Sequence, residues 1–165
     1  NGTGKTTFIK LLCGLLSPDK GQIKYDDVNV TDIGKFSFKK LVGVIPQNIN
    51  LFNDTIRNNI TLGKEIPDEI IYDYIRKFQL DNLSLDKVIT TDGKNLSGGQ
   101  KQKIGIIRGI IHNPQIIILD EPSISLDKES KKIFYKLISQ IGKIIIIISH
   151  ENIPYLNINR EIKFN

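Results

Sequence analysis

The sequence contains no methionine, no tryptophan and a single cysteine, Cys13. One cysteine cannot form a disulfide within the chain and is typical of proteins in a reducing compartment. The longest uninterrupted apolar run covers only 144–148, far short of the roughly 20 residues that a membrane-spanning helix needs. No signal-peptide or lipidation pattern is present. Because methionine is missing altogether, we expect the chain to begin inside a longer gene product.

The residues that are present predict one globular domain. The chain has 165 residues, of which 39% are hydrophobic and 25% are charged, which is enough apolar material to bury a core. The net charge of +5 is mild. The lysines at 101–103 and 131–132 are typical of solvated helix faces rather than of a basic stripe, so we expect no nucleic-acid partner.

Apolar periodicity predicts a parallel α/β sheet. Two continuous apolar runs, 116–119 and 144–148, are typical of strands covered on both faces. A helical pattern between them starts near Asp127, and strand, helix and strand at these lengths favour parallel pairing. The other predicted elements of this core are a helix over 6–16, a hairpin over 23–30, a strand over 41–45 and a last strand over 156–162.

The middle of the chain has a different pattern. Between 48 and 95 the strand signals disappear, and Asp54 and Pro67 each open a short helical pattern. Ser97 stands where an N-cap is expected, before a helix over 100–111. We therefore predict a small helical subdomain over 48–112, inserted into a core made of 1–47 and 113–165.

The first residues carry most of a phosphate-binding pattern. Gly4, Lys5 and Thr6 fill the last three places of the P-loop pattern G-x-x-x-x-G-K-[ST], whose first glycine would precede Asn1. Glycines let backbone N–H groups form an anion nest, and the following helix points its positive end at the phosphates. Lys5 is expected to reach the β- and γ-phosphates and the Thr6 hydroxyl to bind Mg²⁺. The predicted nucleotide-binding residues are Asn1, Gly2, Thr3, Gly4, Lys5, Thr6 and Thr7.

Two acidic residues follow the buried run 116–119. Ligands bind at the carboxyl edge of open parallel sheets, and Asp120 and Glu121 stand at that edge. Asp120 is expected to hold Mg²⁺, and Glu121 to polarise a water for attack on the γ-phosphate.

One string of residues identifies a family. Leu96, Ser97, Gly98, Gly99 and Gln100 form the LSGGQ signature of ABC-type ATPases, and the chain resembles the nucleotide-binding domain of an ABC transporter over nearly its whole length. The other family motifs stand in order: Gln47 matches the Q-loop glutamine, Asp120 and Glu121 the Walker B aspartate and catalytic glutamate, Asp127 the D-loop, and His150 the switch histidine. The remaining histidine, His112, has no such placement and is predicted to lie at the surface, and Cys13 is predicted to pack in the core.

The resemblance implies an ATPase that works as a head-to-tail dimer. Each ATP would lie between one P-loop and the signature of the opposite domain, where Ser97 and the glycines after it offer donors to the γ-phosphate. ATP and Mg²⁺ are the implied cofactors, with Thr6, Gln47 and Asp120 as metal ligands. Glu121, His150 and Gln47 are the implied catalytic residues.

The segment after Gln47 favours one branch of the family. Residues 51–60 resemble the stretch that follows the Q-loop in exporters, where it is usually found beside a fused transmembrane domain. The resemblance thus implies export across a membrane, with transmembrane partners fused upstream and the domain held at the cytoplasmic face. The alternatives are a soluble ABC-type ATPase acting on DNA or ribosomes, and a regulator that binds ATP without hydrolysing it. The short stretch between Gln47 and Leu96 leaves no room for a coiled-coil arm, and the intact Glu121 argues against the regulator.

Overall fold

The computed structural model describes residues 4–141, 144–150 and 152–162. The helices are α1 (Lys5–Leu12), α2 (Lys35–Leu41), α3 (Ile56–Thr61), α4 (Asp68–Lys77), α5 (Gly98–Ile110) and α6 (Lys128–Gln140). The strands are β1 (Lys24–Tyr25), β2 (Val28–Asn29), β3 (Val42–Ile45), β4 (Ile116–Asp120) and β5 (Ile144–Ile148). Short 3-10 turns lie at 30–32 and 91–93.

The predicted parallel sheet is present and consists of β3, β4 and β5, in that order. Ile45 pairs with Leu119, and Asp120 pairs with Ile148. All three strands therefore end at the same edge of the sheet. The predicted hairpin is also present, as the antiparallel pair of β1 and β2.

The central strand β4 is buried on both faces, as its continuous apolar run predicts. Ile117 and Leu119 belong to the larger hydrophobic cluster, which also contains Phe134 of α6. Ile116 and Ile118 face the other way and belong to a smaller cluster with Ile9 of α1. The alternation places α1 and α6 on opposite faces of the sheet.

Helix α5 approaches the sheet so closely that it needs glycine on both sides of the contact. A Cβ atom on Gly109 would lie 2.5 Å from Cγ1 of Ile45, and one on Gly43 would lie 2.4 Å from the carbonyl oxygen of Gly109. Real Cβ atoms do not approach other atoms so closely, so α5 can pack on β3 only with glycine at these positions. Helix α5 contacts both the sheet strand β3 and the helix α3. The division into a core and a helical subdomain remains a prediction.

The structure corrects three sequence expectations. Helix α1 ends at Leu12 rather than Leu16, because the chain turns at Gly14, where φ is +63°. Residues 156–162 form no strand, and their side chains at Ile158 and Ile162 are more than half exposed. His112 is half-buried rather than at the surface, and burial lowers the pKa of its ring.

One helix is absent from the sequence prediction. Helix α2 has no fully buried residue, and only Phe38 and Leu41 pack against the smaller cluster. One apolar pair in seven residues is too short a pattern to predict a helix. Among the residues that the structure describes, no helix has the length and apolar character needed to cross a membrane.

Candidate functional site

The site begins at the first turn of α1. Gly4 occupies the N-cap position with φ of +80°, a conformation that glycine adopts without strain, and it offers no side chain to cap the helix. No side chain at the N-cap competes for the N–H groups of this first turn, as an anion site requires. Thr6 and Thr7 lie on this exposed turn, and Asn1, Gly2 and Thr3 lie outside the described residues.

Lys5 projects from α1 to the end of β5. Its Nζ lies 2.7 Å from Nε2 and 2.9 Å from Nδ1 of His150. A neutral imidazole has one unprotonated nitrogen, so one of these contacts is a hydrogen bond from the ammonium group. The structure therefore brings the P-loop lysine and the switch histidine together across 145 residues of sequence.

Glu121 closes the same cluster. Its Oε1 accepts a hydrogen bond from the backbone N–H of His150 at 3.0 Å and lies 3.6 Å from Nε2 of that ring. Glu121 itself has φ of +45°, which is unusual for a residue other than glycine. Its own N–H donates to the carbonyl of Ile148 at 2.8 Å. The strained backbone is held by the sheet edge, as is common at functional sites.

Asp120 lies beside this cluster at the end of β4 and is half-buried. Burial raises the pKa of its carboxyl group, whereas the positive charge of Lys5 acts in the opposite direction. Asp120 pairs with Ile148, two residues before His150, so its carboxylate lies at the same end of the sheet as the contact between Lys5 and His150. Lys5, Asp120, Glu121 and His150 thus meet at one edge of the sheet, as the sequence predicts.

The signature motif caps α5. Ser97 is the N-cap, its hydroxyl accepts from the N–H of Gln100 at 3.1 Å, and the Gln100 side chain accepts from the N–H of Ser97 at 2.9 Å. This reciprocal pair is a capping box. Gly98 and Gly99 follow it, and a Cβ at Gly98 would meet open space. Leu96, by contrast, is buried and anchors the motif in the core.

Gln47 lies in a different part of the site. It is exposed, and it lines an open cleft together with Asn48, Gly98, Lys101 and Ser125. The structure thus places Gln47 beside the signature helix of its own chain. Its predicted proximity to the Lys5 cluster and its role as a metal ligand stay predictions.

Asp127 caps α6. Its carboxylate accepts from the N–H of Ser130 at 2.9 Å and from the Ser130 hydroxyl at 2.8 Å. These two hydrogen bonds hold the pKa of Asp127 below its usual range. The predicted D-loop residue therefore has a local structural role in the chain.

A buried polar network that the sequence analysis does not predict joins the segment after Gln47 to α5. Asn59 is completely buried, and its side chain donates to the carbonyls of Phe52 and Thr55 at 3.0 Å each. Arg108 of α5 reaches across to the carbonyl of Asn59 at 2.7 Å and to that of Asn50 at 2.8 Å. The network fixes the segment after Gln47 to α5. Its only sequence signal is an arginine on the apolar stretch of a helix.

A lysine from a helix start, two carboxylates and a histidine lie at the carboxyl edge of the parallel sheet. This arrangement is typical of P-loop nucleoside triphosphatases. The sequence model of the ABC transporter family matches residues 1–124, and the chain belongs to this family.

Individual relatives are exporters. The chain is 34% identical over 163 residues to an ATP-dependent lipid A-core flippase of Pasteurella multocida, covering 91% of this chain and 28% of the relative. It is 36% identical over 162 residues to the lactococcin-G-processing and transport ATP-binding protein LagD of Lactococcus lactis, covering 91% of this chain and 23% of that protein. A solved structure of a bacterial Atm1-family ABC exporter with ATP bound is similar in fold, with a TM-score of 0.84 and 28% identity over 92% of this chain and 28% of that one.

These matches settle the fold and favour the exporter branch. The fold is that of the ATPase domain of an ABC exporter. The chain spans little more than a quarter of the flippase and of the exporter structure. None of these relatives is a soluble ATPase acting on DNA or ribosomes, so that alternative receives no support.

Proposed function

We propose that this chain binds ATP at the sheet edge formed by Lys5, Asp120, Glu121 and His150, and hydrolyses it to power export through a membrane. The observation that carries the proposal is the convergence of Lys5 and Glu121 on His150, within 2.7 Å and 3.6 Å of its ring. No structural need of the fold brings a lysine, a carboxylate and a histidine to one exposed edge. A triphosphate needs such a set for binding and for attack on its terminal phosphorus.

Each side chain has a separate task in this proposal. The Lys5 ammonium binds the β- and γ-phosphates, and the N–H groups at the start of α1 bind phosphate oxygens. His150 contacts the γ-phosphate. The Glu121 carboxylate polarises the attacking water, and its backbone bonds keep it directed at the edge of the sheet. Gln47, which lies in the segment after β3, contributes its side-chain amide as a ligand of the metal ion.

The residues fit a magnesium ion that is bound together with the nucleotide. The Thr6 hydroxyl, the Asp120 carboxylate and the Gln47 amide supply the oxygen ligands that Mg²⁺ prefers. Among the described residues no group of three His, Cys, Asp or Glu side chains could hold a metal alone, which suits an ion that also uses phosphate oxygens. When bound, the ion neutralises charge on the phosphates.

The full activity requires partners. The signature end of α5, with Ser97 and two glycines, offers donors to the ATP of a second nucleotide-binding domain in a head-to-tail dimer. Transmembrane domains would couple hydrolysis to transport, which places the chain at the cytoplasmic face of a membrane. The flippase and the LagD relative support this assignment.

The test is phosphate release from MgATP by the full-length gene product in lipid vesicles. Glu121→Gln should lower turnover by about 10² to 10⁴, the usual contribution of a positioned base. Glu129→Gln is the matched control, because Glu129 is exposed on α6. Turnover of Glu121→Gln within about threefold of the control would remove Glu121 from the proposed role.

A further inference from the structure

A buried glutamine lies between the signature helix and the loop that follows Glu121. Gln102 is on α5, one turn beyond the capping box, and only 3% of its surface is exposed. Its Nε2 donates to the carbonyl oxygen of Pro122 at 2.9 Å. Burying an amide is costly unless it is hydrogen-bonded, so the contact fixes both partners.

The carbonyl that Gln102 holds belongs to Pro122, the residue that directly follows the strained Glu121. On the N-terminal side of the strained φ angle, the Glu121 N–H donates to the carbonyl of Ile148 at 2.8 Å. On its C-terminal side, the Pro122 carbonyl accepts from the Gln102 amide. Proline has no N–H to donate, so its carbonyl is the only backbone group through which this residue can be held by a hydrogen bond. The two bonds stand on either side of the unusual φ angle of +45°.

A second anchor acts on the same loop from the other side. Tyr135 of α6 is buried, and its hydroxyl donates to the Ser123 hydroxyl at 3.1 Å. The N–H of Leu126 donates to the carbonyl of Ser123 at 3.0 Å. The loop after Glu121 is therefore held by α5 through Pro122 and by α6 through Ser123.

We propose that Gln102 is a positioning residue for the Glu121 carboxylate, acting through the Pro122 peptide. The proposal rests on the function proposed above for Glu121. Loss of the Gln102 amide frees the carbonyl of Pro122, the residue next to the strained Glu121, and the carboxylate then leaves its hydrolytic position for part of the time. A displacement of about 1 Å at a reacting group can lower a rate about 100-fold.

The same helix carries the signature. Ser97 and Gln102 are both on α5, so the hydrogen bond from Gln102 to Pro122 connects the loop of Glu121 to the helix whose start faces the partner's ATP in the proposed dimer. Gln102 thereby links the two proposed half-sites of one chain.

The experiment compares Gln102→Met with Thr61→Val in the full-length gene product. Methionine keeps the size of the side chain and removes the amide donor. Thr61 is also buried, at 3% exposure, but it lies on α3, so Thr61→Val reports on the loss of a buried polar group away from Glu121. A positioning role predicts that Gln102→Met lowers kcat about 10- to 100-fold and leaves KM for MgATP within about threefold, whereas Thr61→Val leaves both unchanged.

The outcomes are separable. If kcat of Gln102→Met equals that of Thr61→Val while Glu121→Gln is inactive, the proposal for Gln102 is wrong and the proposed function stands. If Glu121→Gln retains turnover, the proposed function fails and the role of Gln102 fails with it. Should Gln102→Met not fold, Tyr135→Phe removes the other anchor, and a kcat unchanged in that variant would overturn the account of this loop.

Discussion

Helices α1 and α5 both begin where a phosphate is proposed to bind, and they are built in different ways. Helix α1 starts at Gly4 without a side-chain cap and has one buried residue, Ile9. Helix α5 starts at Ser97 with a complete capping box and has six buried residues. One helix start is thus left to a ligand, and the other is stabilised by its own chain.

The difference separates binding from stability. Since Gly4, Thr6 and Thr7 at the start of α1 are exposed, changes there should affect nucleotide affinity and leave folding intact. Changes in α5 should affect folding first, because this helix packs on β3 and caps itself.

Lys5→Ala should weaken ATP binding about 10- to 100-fold, because it removes a charge-assisted hydrogen bond to phosphate. The midpoint of thermal unfolding should not change, since Lys5 is half-exposed. Lys10→Ala, an exposed change on the same helix, is the matched control. The ATP dissociation constants of both variants are measured by calorimetry. Equal values would show that Lys5 at the start of α1 does not bind the phosphates.

Gly109→Ala should destabilise the fold by about 1–2 kcal/mol, although alanine is the better helix former. The new Cβ would lie 2.5 Å from Cγ1 of Ile45, which is completely buried, and overpacking of this kind costs about 1–3 kcal/mol. Gly98→Ala on the same helix meets open space and should not destabilise. Urea unfolding of the two variants checks this, and a stabilised Gly109→Ala would show that α5 can move off the sheet.

Ser97→Ala should cost about 1 kcal/mol of stability even without nucleotide, because it removes half of the capping box. Ser97→Thr keeps the hydroxyl and should restore most of the loss. The measurement is again the free energy of unfolding in urea. If Ser97→Ala were as stable as the parent, the start of α5 would depend on a ligand in the same way as α1.

Asp127→Asn should make the stability of the fold depend less on pH under acidic conditions. The pKa of Asp127 is lowered from its usual 3.8 by hydrogen bonds from Ser130, so its contribution to stability is complete above pH 3.8 and is lost as the pH falls through the lowered pKa. Ser97 carries no charge, so Ser97→Ala should leave this pH dependence unchanged. Unfolding midpoints measured from about pH 6 to pH 2 distinguish the two caps.

The sequence was sufficient where one residue type has one role. Continuous isoleucines predict both strands, although only β4 is buried as expected, whereas in β5 only Ile148 is buried. Ser97 predicts its cap, and Asp120 and Glu121 at a strand end predict the edge at which they lie. The sequence was insufficient where the reason lies in another part of the chain. In the sequence, Gly109 is only a residue with low helix propensity, and the contact with Ile45 that requires it is visible only in the structure. No sequence pattern predicts that Gln102 binds the carbonyl of Pro122.

Local patterns also failed at the surface. Helix α2 is short and only partly buries Phe38 and Leu41, so its apolar pattern is too brief to predict a helix. The expected strand over 156–162 contains alternating apolar residues, but a strand requires a neighbour with which to pair, and single-residue patterns carry no information about neighbours.

The most direct test of the account is the nucleotide that remains bound to the Glu121→Gln variant after incubation with MgATP. Because binding rests on Lys5 and the start of α1 while hydrolysis rests on Glu121, the account predicts that this variant retains intact ATP, at an affinity close to that of the parent. Recovery of ADP at the parent rate, or failure of the variant to bind ATP, would contradict it.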